Sequence, residues 1–312
     1  MDWLTSALVF PGQGSQVVGM GADFYQQSPV ARAIFDEADE LLGQKFSELM
    51  FHDADALNQT YNTQPALYIC SMAIFRTLEH EFGPIRAGYL AGHSLGELTA
   101  LTVGKVLTFA DGLKLVRERG RLMAEAGERQ PGAMAALLGL TAEVAQDVCR
   151  VAREQSKRVV VVANDNCPGQ TVLSGEHEAI DRAIELATQH GAKRAVKLAV
   201  SVAAHSPLMA SASAEFSALV EQTPMQTPTI PIYGNVQALR LVDLAMIRHE
   251  LDLQLTETVR WTESVQAMIR HGATRFIEIG SGDVLTGLIK RIDRSVERLN
   301  IDKIDKIAQL LS

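Results

Sequence analysis

Gly92-His-Ser-Leu-Gly96 is the stretch in which this chain can do covalent chemistry. A serine between two glycines, after the apolar run Tyr89-Leu-Ala91 and before a helix-forming segment from Glu97 to Val106, has the pattern of a nucleophile on a strand–turn–helix. The glycines matter because a side chain at either position would collide with the neighbouring strand or helix. Ser94 would then stand above a sheet at the positive end of a helix, where an oxyanion can be stabilised. G-x-S-x-G arises by chance in about one chain in ten of this length, so the strand before it and the helix after it carry the argument.

Such a serine needs a base. Six of the eight histidines (His52, His80, His177, His190, His249 and His271) lie in polar helical or loop settings and read as solvent-exposed, while His93 would point away from the serine's side. His205 differs. It ends Ser201-Val-Ala-Ala-His205 and meets Ser206-Pro207, a cap followed by a first-turn proline that opens the helix Leu208–Glu221. This puts His205 at a strand end and a helix start, on the carboxyl edge where the loops of an open sheet gather.

A third residue narrows the chemistry. Asp111 is read as the cap of a helix over residues 112 to 126. At about 100° per residue, Leu113, Leu115, Val116, Gly120, Leu122 and Met123 form one apolar arc with Arg119 in its middle. Arg117 and Arg121 point away, beside Lys114, Glu118 and Glu125. An arginine in an apolar face is costly unless an anion meets it, and its guanidinium fork suits a carboxylate. A structural salt bridge is the plain alternative.

The elements that must position these residues follow a strand–loop–helix rhythm. Ala7-Leu-Val-Phe10 is a strand that ends in Pro11-Gly-Gln-Gly-Ser-Gln16. A dinucleotide fingerprint would need a third glycine where Val17 stands, and the P-loop lysine is missing. The segment therefore reads as a glycine turn that brings Gln13 to the mouth of the serine's sheet. Residues 28 to 43 are an amphipathic helix, and Thr63-Gln64-Pro65 is read as the opening of another. After the break Gln130-Pro-Gly132 the order becomes strand (Ala133–Leu138), helix (Ala142–Ser156), strand (Val159–Asn164), strand (Gln170–Ser174), helix (Glu176–His190), strand (Ala195–Val200). That β-α-β-β-α-β order is the ferredoxin-like split unit. Further on come a strand Ile230–Tyr233, a helix around Val242–Leu253, a strand Arg275–Gly280 and a helix Val284–Ile292. The tail beyond Arg291 reads as a surface helix.

Bulk composition agrees with a soluble α/β enzyme. The chain has 312 residues, 47% of them hydrophobic, enough for one large or two modest domains. A formal net charge of −8 argues against general nucleic-acid binding. Cys70, Cys149 and Cys167 are far apart, so neither a disulfide framework nor a zinc site is indicated. No apolar run approaches about 18 residues and the first residues lack a signal-peptide pattern, so the expected location is the cytoplasm, with no membrane association.

Phe10-Pro-Gly-Gln-Gly-Ser-Gln16, Thr63-Gln-Pro-Ala-Leu67, Gly92-His-Ser-Leu-Gly-Glu97, Arg119-Gly120, Pro168-Gly-Gln170, His205-Ser206 and Val284-Leu-Thr-Gly-Leu288 occur in this order. Together, over nearly the whole chain, they resemble the malonyl-CoA:acyl-carrier-protein transacylases, the acyltransferases of bacterial fatty-acid synthesis. The resemblance implies a hydrolase-like α/β domain, residues 1–131 and 201–312, with a parallel sheet and a nucleophile elbow, interrupted by a ferredoxin-like subdomain, residues 132–200. It makes Ser94 the nucleophile and His205 its general base and later acid. A main-chain carbonyl, placed at Gln254, orients the imidazole. The N–H groups of Gln13 and Leu95 form the oxyanion hole, Arg119 receives the malonyl carboxylate, and Gln64 and Ala204 are substrate-binding.

The implied partners are malonyl-CoA and an acyl carrier protein bearing a phosphopantetheine thiol, with no metal or other cofactor and a monomeric protein. An acidic carrier would dock on a basic patch, for which Lys290, Arg291 and Arg294 are the candidates. Related polyketide-synthase domains often carry Phe or Ser just before the histidine, and Ala204 is neither; it leaves room for a methyl branch, while Leu95 fits malonyl. A stand-alone acyltransferase serving a polyketide synthase is the first alternative. A serine hydrolase or thioesterase is the second, and Arg119 argues against it.

Overall fold

The computed structural model describes residues 2–200 and 202–310. The large sheet is built from β1 (Ser6–Phe10), β2 (Tyr89–Gly92), β7 (Ile232–Tyr233), β8 (Arg240–Leu241), β9 (Arg275–Ile279) and β10 (Glu297–Ile301), and the small one from β3 (Ala133–Leu138), β4 (Val160–Cys167), β5 (Gln170–Gly175) and β6 (Arg194–Lys197). The large sheet has the order β10-β9-β1-β2-β7-β8 and is parallel except for β8. β1 is apolar on both faces after Ser6 and fully buried, as a central parallel strand must be. Its residues alternate between two cores. Leu8 and Phe10 pack with the helices Thr60–Phe82, Gly96–Val103 and Phe109–Arg129, whereas Ala7 and Val9 meet Trp261, Val265, Met268 and Ile289 on the other side. From β1 the chain crosses to β2 on one side and later to β9 on the other, so a crevice opens at the carboxyl end of β1.

The small sheet is antiparallel, in the order β4-β5-β3-β6, with the helices Ala142–Ser156 and His177–Gln189 on one face. Ala133, Ala135 and Leu137 of β3 face those helices, and Met134, between the first two, faces the large part of the molecule. Residue 201, where the large domain is expected to resume, lies outside the described residues. Among the described residues no helix is long and apolar enough to cross a membrane.

Four expectations about elements change. The helix expected to open at Thr63-Gln64-Pro65 starts at Thr60, which puts Pro65 inside it. Proline cannot donate to the carbonyl four residues back; that carbonyl, on Tyr61, instead accepts from Arg117 Nη1 at 2.8 Å. The Arg119 helix runs Phe109–Arg129, and its cap is Thr108, whose hydroxyl accepts from the Asp111 N–H at 3.1 Å; Asp111 is not the cap. The tail beyond Arg291 forms β10, because Leu299 and Ile301 complete the parallel edge beside β9, and only its last part, Ile304–Leu310, is helical, as a 3-10 helix. Finally, β6 ends at Lys197, so His205 does not stand at a strand end. It sits in the descent from the small sheet, just before the short 3-10 turn Pro207–Met209 that Ser206 caps.

Candidate active site

The elbow forms because two backbones come too close for any side chain but hydrogen. A Cβ on Gly92 would lie 1.9 Å from the Gly96 carbonyl, and one on Gly96 would lie 2.1 Å from the Phe10 carbonyl oxygen. Between them Ser94 is held at φ 51°, a left-handed conformation rare outside glycine. Asn235, just after β7, clamps this turn. Its Oδ1 accepts from the Ser94 N–H at 2.7 Å and its Nδ2 donates to the Gly92 carbonyl at 2.7 Å. His205 is held the same way, at φ 57°. Both side chains thus project from strained backbone into one cavity of about 200 Å³ at the carboxyl end of β1 and β2.

Ser94 Oγ and His205 Nε2 are 2.8 Å apart, and His205 Nδ1 lies 2.8 Å from the main-chain carbonyl of Gln254. A carbonyl only accepts, so Nδ1 carries the proton and Nε2 offers its lone pair to the serine hydroxyl. No carboxylate takes part in this pair. Burial, with the Arg119 charge and then His93 adding to it, pushes the imidazole down to about 3, so the base rests neutral.

Arg119 is 1% exposed and has no direct ion pair among the described residues. Its Nε donates to Gln254 Oε1 at 3.0 Å, Nη1 to Gln64 Oε1 at 2.7 Å and Nη2 to Ser94 Oγ at 3.0 Å. Burial pulls it down to about 10, which leaves it a cation at neutral pH, in contact with the nucleophile itself. This is the feature that the apolar arc of its helix pointed to.

The structure brings all eight candidate residues to one place, in two layers. Ser94, His205, Arg119, Gln13, Leu95 and Ala204 line the cavity. The Gln13 N–H follows the glycine turn after β1, and Leu95 opens the elbow helix, whose first N–H groups have no partner within the helix. Gln64 and Gln254 are both about 1% exposed and stand behind the cavity wall. Gln64 uses its amide on Arg119 and on Met123 Sδ, so it orients the arginine and does not face the cavity. Met123, Met134, Val172, Leu198 and Val200 form an apolar stretch of the remaining wall, and Asn164, Asn166 and Gln170 add polar groups to it.

Other expectations divide. The six outlying histidines are exposed, as read. His93 turns its Nε2 to Asn166 Oδ1 at 2.8 Å and its ring edge to Trp261, yet it also lines the cavity. Of the basic patch, Arg291 bonds Gln170 Oε1 at 2.6 Å and the Pro168 carbonyl at 3.3 Å, clasping the small subdomain to the helix Val284–Ile292. Lys290 and Arg294 are exposed.

Sequence reasoning missed Asn235, Glu97, Glu250 and the side chain of Gln254. Glu97 alone had a visible signal. It is the single charge in Gly96-Glu-Leu-Thr-Ala-Leu-Thr-Val103, a helix buried on every side.

Comparison with known proteins points the same way as the geometry. The acyl transferase domain model matches residues 7–304. The malonyl CoA-acyl carrier protein transacylase of Bacillus subtilis (strain 168) is 43% identical over 296 residues, 95% of this chain and 92% of that protein. The crystal structure of the malonyl-CoA:acyl carrier protein transacylase of Xanthomonas oryzae pv. oryzae superposes with a TM-score of 0.95 at 43% identity, covering 100% of this chain and 98% of that one. A malonyl-transacylase solved in complex with its type II polyketide-synthase acyl-carrier protein superposes with a TM-score of 0.94 at 39% identity, covering 98% of each chain. By its sequence and its structure alike, the chain belongs to the acyl transferase domain family.

Proposed function

We propose that this protein moves a malonyl group from malonyl-CoA to the phosphopantetheine thiol of an acyl carrier protein, through a malonyl ester on Ser94. The observation that carries this reading is the buried Arg119 cation 3.0 Å from the Ser94 hydroxyl, a position where only an acyl group bearing its own anion would be favoured.

Chemistry follows from the tautomer. His205 Nε2 takes the Ser94 proton as Oγ attacks the thioester carbonyl, and the Gln13 and Leu95 N–H groups hold the oxyanion, one such donor contributing up to roughly 3 kcal/mol. As the C–S bond breaks, the imidazolium returns its proton to the departing coenzyme A sulfur. A carrier thiol then gives its proton to Nε2, attacks the ester and releases Ser94, which regains that proton. The malonyl carboxylate has a second effect. Arg119 is one of the charges that suppress the basicity of His205; pairing it with the substrate cancels that charge, so the correct acyl group strengthens the base it needs. Every step is a proton or acyl transfer, so the reaction calls for no redox carrier and no metal.

The architecture supports a hydrolase-like catalytic domain, residues 1–131 and 201–312, with a ferredoxin-like insertion at 132–200. The β4-β5-β3-β6 order with two helices on one face is the arrangement expected of the latter. The protein is read as a cytoplasmic monomer. Lys290 and Arg294 offer the acidic carrier its basic contact. The small Ala204 beside His205 leaves space for a branched acyl group, and the carrier-bound polyketide relative makes a polyketide carrier the second reading.

A transfer assay with malonyl-, methylmalonyl- and acetyl-CoA against fatty-acid and polyketide holo-carriers tests the proposal. Malonyl transfer should dominate; acetyl transfer at an equal rate would overturn it.

A further inference from the structure

Directly beneath the elbow lie two buried carboxyl groups that the mechanism above does not use. Glu97 is 0% exposed and Glu250, from the helix Leu244–Leu253, is 3% exposed. The two are hydrogen-bonded to each other. Glu250 Oε1 accepts the Val236 N–H at 2.6 Å, and the Asn235 and Gln237 N–H groups also bond it. Gly234 makes the room, since a Cβ there would lie 2.6 Å from Glu250 Oε2.

What these carboxyls hold in turn is the catalytic machinery. Glu97 Oε2 accepts from Gln254 Nε2 at 2.5 Å and Glu97 Oε1 from the Asn235 N–H at 3.3 Å. Gln254 orients the imidazole with its carbonyl, bonds Arg119 Nε with its Oε1, and donates from Nε2 to the Ser94 carbonyl at 3.2 Å. Asn235 fixes the nucleophile's own backbone. Two residues therefore set the serine, the base and the arginine, and both rest on Glu97.

We propose that the Glu97–Glu250 carboxyl pair is the positioning unit of this site, acting on His205 and Arg119 through Gln254 and on Ser94 through Asn235. Like charges in contact inside a protein do not both ionise. Burial, and then the charge of Glu250, holds Glu97 well above the usual carboxylate range; burial raises Glu250 as well, while hydrogen bonds from the Val236 N–H and from Glu97 pull it the other way. The pair thus holds at least one proton, with Glu97 donating to Glu250. Gln254 links the pair to the Arg119 cation.

A protonated carboxyl with one donor and one acceptor is matched by an amide, which sets the test. In Glu97→Gln the amide oxygen still accepts from Gln254 and the amide nitrogen still donates to Glu250, and only the long 3.3 Å bond from the Asn235 N–H is lost, so kcat should stay within about tenfold of wild type. Glu97→Met keeps the bulk but frees Gln254 and Asn235, and should lower kcat about a hundredfold, the scale of a misplacement of about 1 Å. Its labelling of Ser94 by a fluorophosphonate should slow in parallel, and its malonyl-to-acetyl preference should fall.

The proposal rests on Ser94 and Arg119 acting as described above. If wild-type protein is not labelled at Ser94, that reading fails first. If wild type is labelled and transfers malonyl, but folded Glu97→Met matches it, or Glu97→Gln is as impaired as Glu97→Met, the positioning role alone is overturned. Should Glu97→Met not fold, Glu250→Met carries the same test: loss of the acceptor shared by Glu97 and the Val236 N–H should lower kcat likewise, and wild-type kcat in the folded variant would overturn the proposal.

Discussion

Replacing Arg119 with methionine keeps most of the side chain's volume and removes its charge. The structure sets the scale of what is lost. Arg119 makes three hydrogen bonds, to Gln64, Gln254 and Ser94, in a site it shares with the nucleophile and almost no solvent. Removing one partner of a buried charge pair costs about 2–5 kcal/mol. If the malonyl carboxylate is the other partner, kcat/KM for malonyl-CoA should fall between about 30-fold and about 5,000-fold, at 1.36 kcal/mol per tenfold.

Acetyl-CoA has no carboxylate. For it the substitution removes an unpaired cation beside the acyl methyl and relieves the suppression of His205, so its kcat/KM should change by less than about tenfold. The malonyl-to-acetyl ratio should therefore collapse. Two amide oxygens lose their donor, on Gln64 and Gln254, at about 1–3 kcal/mol each. This lowers the melting temperature without touching the ratio. The assay is initial-rate transfer of each acyl group to holo-carrier protein at equal enzyme concentration, with circular dichroism to confirm folding. Equal loss for the two substrates would make Arg119 a structural residue and refute the reasoning.

Two more outcomes follow from buried groups. With its imidazole pushed down to about 3, His205 rests as the free base throughout the neutral range, so kcat/KM should show no inflection near pH 6.5; an acid limb centred there would contradict the buried, Arg119-facing geometry. Glu278, at the end of β9, accepts from the Leu285 and Thr286 N–H groups at 3.0 and 2.7 Å, and burial nevertheless pushes it up to about 7. Between pH 4.5 and about 7 the folded chain keeps a proton that the unfolded chain has released, so stability falls as pH rises through that window, by about 3 kcal/mol for this group. Urea midpoints at pH 5 and pH 8 should therefore differ less in Glu278→Gln than in wild type, and identical pH dependence would refute the assignment.

Much of this site was legible in the chain because its signals are local. The Ser94 elbow announces itself within five residues, and Arg119 is found by turning one helix through its own period. The alternation of strands and helices between residues 133 and 197 was legible for the same reason. What was not legible depends on contacts between distant segments. Asn235 meets Ser94 across 141 positions and Gln254 meets Glu97 across 157, and nothing beside either residue foretells the meeting. Pro65 was misread as a helix start because the donor that replaces its missing N–H bond comes from Arg117, 56 residues after the carbonyl it serves. His205 does come within 2.8 Å of Ser94 but does not stand at a strand end: its capping Ser206-Pro207 is local, but the early end of β6 at Lys197 is a matter of sheet pairing.

The central claim is covalent. Incubating the protein with malonyl-CoA alone and measuring intact mass, followed by peptide mapping, should show one malonyl group on the peptide containing Ser94. Adding holo-carrier protein should discharge it, and Ser94→Ala should remain unlabelled. A wild-type protein that transfers malonyl with no adduct, or with the adduct on another residue, would contradict the account.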